Sequence, residues 1–147
     1  LARPLGGTQV EEVLNILAGS PVRYLPFPGG PFEHPTKLAG SPIQIEDDCR
    51  RFHAMGCAGV DLLAYRATEA DPLELVRAAR RGGDGILLVA GSIHKPAQIR
   101  DLAAAGADAF TIGSAAFDGS FAPRLGCLRS QLRAVLDACG QPASRIS

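Results

Sequence analysis

The stretch Ile86–Phe117, ILLVAGSIHKPAQIRDLAAAGADAFTIGSAAF, decides the reading of this chain. It opens on Ile86-Leu87-Leu88-Val89-Ala90, an unbroken apolar run of the kind expected of a parallel strand covered on both faces. Pro96 marks the start of a helix that runs to about Ala105, and Gly106-Ala107-Asp108 leads into a second strand, Ala109-Phe110-Thr111-Ile112. Each strand ends in Gly-Ser: Gly91-Ser92 after the first and Gly113-Ser114 after the second. Glycine lets a ligand approach the backbone closely, and amides at the start of a helix point partial positive charge outward. Two neighbouring loops of this kind make an anion cradle.

The same strand-then-helix order extends backwards from this stretch. Thr8 with Glu11 reads as a capping box ahead of Val10, Val13, Leu14 and Leu17, which predicts a helix over 8–18 ended by Gly19. A strand is expected at 22–27, kept short by Pro26 and Pro28, which cannot donate to a ladder. Ser41, Pro42 and Gln44 signal a helix to about Met55, followed by a strand at 60–65. Asp71, Pro72 and Glu74 repeat that signal for a helix whose apolar face is Leu73, Leu75, Val76 and Ala79 and whose end is Gly82-Gly83. A last helix is expected over about 125–138. Alternating strands and helices with short connections imply parallel β-α-β units.

Composition bounds the function. The chain has 147 residues, 15 basic and 15 acidic side chains, and 46% hydrophobic residues. Such a chain can bury about two-thirds of its unfolded surface, and it is too apolar and too weakly charged to be disordered. Zero net charge and dispersed arginines give no pull toward nucleic acid or an anionic membrane. No apolar run approaches the ~18 residues of a membrane span and no signal peptide opens the chain, so a cytoplasmic location is expected. Cys49, Cys57, Cys127 and Cys139 fit neither a C-x-x-C metal pair nor a disulfide scaffold, and reduced, buried thiols are expected. The chain begins at Leu1 and its one methionine is Met55, from which a start further upstream is expected.

The Ile86–Phe117 stretch resembles the last two β/α units of phosphate-binding (β/α)8 TIM barrels. That superfamily includes the histidine-biosynthesis isomerase and synthase barrels and the ribulose-phosphate-binding decarboxylases and epimerases. In those families the phosphate sits between the loops after strands seven and eight, against a short extra helix. The resemblance implies that Gly91, Ser92, Gly113 and Ser114 hold a phosphate through backbone amides. Many relatives have two glycines where this chain has Gly91-Ser92. The four strands, at about 22–27, 60–65, 86–90 and 109–112, would then be the fifth to eighth, and residues 1–147 one domain, a parallel (β/α)4 half barrel. Such a half leaves two strand edges and an inner face uncovered, so a missing N-terminal half or association of two copies is expected.

Chemistry in such a barrel belongs at the C-terminal strand ends. The loop after the first strand carries Glu33 and His34, candidates for proton transfer, and Lys37, which could bind an anion or form a Schiff base. Arg66, after the second strand, could meet a carboxylate or phosphate, or pair on the surface with Glu69 or Asp71. Asp61, further back in that strand, needs a partner if buried. Lys95 sits at an N-cap where its charge is unfavourable, which hints at phosphate contact. His53, mid-helix, reads as a packed or surface residue. The spacing of His34, His53 and His94 gives no local metal motif, and neither a metal nor a cofactor is expected. Gly-x-Ser-x-Gly is absent, which argues against a serine hydrolase.

Several members of the superfamily fit poorly. Lysine-dependent aldolases carry their lysine within a strand, and no strand here has one. The decarboxylase relatives keep their acid and lysine on the first three strands, and the histidine-biosynthesis barrels place an acid where this chain has Phe27-Pro28. The reading is an enzyme acting on a phosphorylated sugar or small keto compound by isomerisation, decarboxylation or carbon–carbon cleavage. The alternative is a non-catalytic, self-associating module that binds phosphometabolites.

Overall fold

A computed structural model describes residues 2–140. The helices are α1 (Val10–Leu17), α2 (Pro42–Ala54), α3 (Pro72–Gly82), α4 (Pro96–Ala105), α5 (Ser114–Phe117) and α6 (Leu128–Gly140), with a 3₁₀ turn over Ala64–Arg66. The strands are β1 (Gly30–Phe32), β2 (Lys37–Ala39), β3 (Gly59–Leu62), β4 (Ile86–Val89) and β5 (Ala109–Phe110). β3, β4 and β5 form a parallel sheet in sequence order, while β1 and β2 make a separate antiparallel hairpin.

Extended backbone widens the parallel sheet beyond β3. The Ala58 and Asp61 amides donate to the Tyr24 and Pro26 carbonyls, and the Leu25 and Phe27 amides donate to the Pro4 and Gly7 carbonyls. Residues 22–27 thus lie between β3 and residues 2–7, but the regular strand expected there is reduced to one ladder bridge, Leu25 to Leu5. Pro26 and Pro28 have no N–H to continue it. The extended segment 2–7 precedes the first helix, where the sequence pattern shows no strand.

Helix start signals hold where a side chain is free to make them. Ser41 and Gln44 form the capping box of α2, and the Asp71 carboxylate accepts from the Leu73 and Glu74 amides to cap α3. The box expected at Thr8 does not form. Gln9 is the N-cap of α1 and contributes no side-chain bond, because the chain through Gly7 is held in the sheet by Phe27.

The core lies between the parallel sheet and the helices. Val60, Leu62, Leu87 and Val89 project from β3 and β4 into it, against Ile45, Phe52, Leu75, Val76 and Ile99. Burying side chains of this size contributes about 1.5–3 kcal/mol each. Gly82 sets the spacing of α2 and α3: a Cβ there would lie 2.6 Å from the Cβ of Cys49. Of the four cysteines, all unpaired, Cys49 and Cys57 are buried, but Cys127 and Cys139 are exposed, contrary to expectation. α6 starts after the turn at Cys127, too late in the chain to bury that thiol. No helix among the described residues is long and apolar enough to cross a membrane.

Candidate functional site

The C-terminal ends of the parallel strands open into a cleft of about 360 Å³. Its floor is Leu63, Ala90 and Thr111, and its walls are Gly91-Ser92-Ile93 and Ile112-Gly113-Ser114 with Phe27, Thr36 and Arg66. Both Gly-Ser loops singled out by the sequence therefore face one space. Among the described residues, the backbone amides of Gly91, Ser92, Gly113 and Ser114 meet no protein acceptor.

The first loop is held in an unusual shape. Gly91 and Ser92 both have positive φ, +82° and +58°. For a serine that conformation costs on the order of 1 kcal/mol or more, and such strain persists only where surrounding contacts enforce it. Gln98 supplies them. Its side-chain oxygen accepts from the amides of His94 (2.8 Å) and Lys95 (3.0 Å), and its amide nitrogen donates to the Ser92 carbonyl (3.2 Å). The cap of α4 thus comes from Gln98, while Lys95 is the N-cap residue with its side chain in solvent, outside the cleft wall.

Arg66 lies across this loop. A Cβ built on Gly91 would fall 3.0 Å from the guanidinium carbon and 3.1 Å from Cδ, so glycine is what admits the side chain. The half-buried guanidinium makes no ion pair with Glu69 or Asp71; its Nη1 donates to the Thr36 carbonyl at 3.3 Å. Thr36 belongs to the β1–β2 turn, which the sequence alone reads as an irregular loop. That hairpin is tied down by the Gly29 amide on Asp48 (2.8 Å) and by the amide of Thr68 on the Leu38 carbonyl (3.1 Å). Glu33, at φ +60°, and His34 are exposed on the turn and do not line the cleft. Glu33 pairs with Lys37 at 2.6 Å.

Gly113 behaves differently from Gly91. A Cβ there would meet nothing within 4 Å, so packing does not demand a glycine. Directly after it runs α5, a single turn against the second loop. At the opposite end of the strands Asp108 accepts from the Leu87 amide (2.8 Å) and from Arg80 (2.5 Å). The Leu87 amide foremost, then Arg80, holds the Asp108 carboxyl below its ordinary value. That part of the GADAF motif therefore fixes the strand starts and leaves the cleft to the strand ends.

Asp61 stands apart from both groups. It is 4% exposed on β3, its Oδ1 has no hydrogen-bond partner, and burial pushes its carboxyl up to about 6. The sequence implies that a buried Asp61 needs a partner; among the described residues there is none.

No protein-family model and no curated protein matches this chain. Its fold does match the crystal structure of (S)-3-O-geranylgeranylglyceryl phosphate synthase from Thermoplasma acidophilum in complex with its substrate sn-glycerol-1-phosphate. The TM-score is 0.61 at 16% identity, over 93% of this chain and 61% of that one. The fold is thus of the TIM-barrel type, as a parallel α/β partial barrel. The chain spans about three-fifths of the length of that structure.

Proposed function

We propose that this chain is part of a phosphate-binding TIM-barrel enzyme acting on a phosphorylated sugar or small keto compound. What supports the reading is one juxtaposition: four backbone amides without acceptors share a cleft with a guanidinium that has no carboxylate partner. A phosphate there would accept from Gly91, Ser92, Gly113 and Ser114, and Arg66 would balance its charge through charge-assisted hydrogen bonds. Lys95 adds positive charge beyond the wall. The volume of about 360 Å³ also leaves room for a short carbon chain beyond the phosphate. The structurally similar synthase holds a glycerol phosphate, which supports a phosphorylated small-molecule ligand.

In this reading proton transfer falls to groups outside the wall, with Glu33 and His34 on the hairpin turn as the proton carriers. The reaction is an isomerisation, a decarboxylation or a carbon–carbon cleavage. Residues 1–147 act as one (β/α)4 domain whose open edges are covered by further barrel elements or by a second copy. A second reading, a binding module without chemistry, has its own support: the cleft wall contains no carboxylate, imidazole or lysine among the described residues.

Isothermal titration with inorganic phosphate and glycerol 1-phosphate tests the cradle. The variant Gly113→Val places its Cβ where no protein atom stands and should lose at least ~10-fold in phosphate affinity, the equivalent of one lost charge-assisted hydrogen bond, with circular dichroism at the titration temperature confirming that the variant is folded. Unchanged affinity removes the cradle. Turnover of a sugar phosphate that survives Glu33→Gln and His34→Ala together removes those two residues from the chemistry.

A further inference from the structure

Asp61 is the one carboxyl on segment 22–27, β3, β4 and β5. Buried carboxyls without donors are rare, since desolvating one without compensation is costly. The register of the sheet says where this one points. Asp61 pairs with Leu88, and Leu88 with Ala109. The residues offset by one, Val60, Leu62, Leu87 and Val89, face the helices, so alternation puts Asp61, Leu88 and Ala109 in a row on the opposite face. The next row on that face is two residues further along each strand: Leu63, Ala90 and Thr111. All three line the cleft.

The carboxyl therefore lies in the row directly beneath the cleft floor, about 6.6 Å of strand rise below it. Phosphorus bound at Gly91-Ser92, one residue above Ala90, would stand a few bond lengths further up. We propose that Asp61 accepts a hydrogen bond from a hydroxyl of the ligand, and so selects a phosphate ester with a free hydroxyl a few bonds from phosphorus, a polyol or sugar phosphate. This rests on the cleft being the phosphate site. Among the described residues the Asp61 side chain caps no helix and joins no ion pair.

The test compares glycerol 1-phosphate with methyl phosphate, which has the same anion and no hydroxyl, by titration of the whole chain at pH 7.5. A hydrogen bond to a charged acceptor predicts a preference for glycerol 1-phosphate of roughly 10- to 100-fold. Asp61→Leu should erase that preference and leave methyl phosphate affinity unchanged. Asp61→Asn, which keeps a neutral acceptor and the shape of the side chain, should reduce it several-fold even if the leucine variant does not fold. A preference that is undiminished in either variant overturns the hydroxyl contact while the cradle stands. Failure of both esters to bind the wild type overturns the cradle and this inference with it.

Discussion

Asp61 makes stability depend on pH in a direction opposite to most carboxylates, and the size follows from its burial. Its carboxyl is raised from 3.8 to about 6 by desolvation alone, with no charged partner acting on it. Below about pH 3.8 the group is neutral in both the folded and the unfolded chain and contributes nothing. Between 3.8 and 6 the unfolded chain ionises first, so each rise in pH favours unfolding. Above 6 the penalty is complete. A shift of about 2 units corresponds to about 3 kcal/mol, a large share of the 5–15 kcal/mol that typically holds a domain together.

Urea denaturation of the wild type and of Asp61→Asn at half-unit steps from pH 4 to pH 7.5 measures this. Asp108 and the other carboxyls held below their ordinary values lose stability on acidification in both proteins, and they cancel in the difference. The variant should gain about 3 kcal/mol relative to the wild type across the range, nearly all of it below pH 6.5. A difference that stays flat to within ~0.5 kcal/mol would mean that Asp61 has a donor or a solvent path in solution, and the argument from its burial would fail.

Asp108→Asn should cost about 1 kcal/mol, a net hydrogen-bond contribution discounted because the side chain is half exposed. The wild type's advantage should be present above about pH 4 and disappear as pH falls through the lowered carboxyl value, readable in the same urea series. The thiols should divide by environment under brief alkylation at pH 8 with mass spectrometry. Cys127, whose thiol the Ser130 hydroxyl lowers, and exposed Cys139 should react, while Cys49, pushed up to about 12 by burial, and Cys57 should react only on unfolding; labelling of Cys49 in the native protein at the rate of Cys127 contradicts the packing.

How far the fold can be read from the residues depends on how local each signal is. Ser41-Pro42 with Gln44, and Asp71-Pro72, act within one turn of chain, and α2 and α3 begin where those residues say. The unbroken apolar run of β4 makes it a strand of a parallel sheet, although among the described residues only the Leu87 and Val89 face is fully covered while Ile86 and Leu88 stay half-buried. Residues 2–7 carry no period at all, and they extend because Leu25 and Phe27 donate to Pro4 and Gly7 from another part of the chain. The same distant bond carries the start of α1 past Thr8. Likewise the β1–β2 hairpin exists through anchors on Asp48 and Thr68, neither of which a reading of Gly29–Lys37 can supply.

The site shows the same division, with one difference that bears on function. The two Gly-Ser loops look equivalent in sequence, yet their glycines answer to different forces. Gly91 is required by its own backbone, at φ +82°, and by the Arg66 side chain lying over it, so the fold alone accounts for that residue. Gly113 has open space where a Cβ would go. The space in front of it is the cleft, and what would fill that space is the ligand. Gly113 is therefore the more telling of the two for the cleft: with no protein atom where its Cβ would go, it is the residue at which binding should respond to an added side chain.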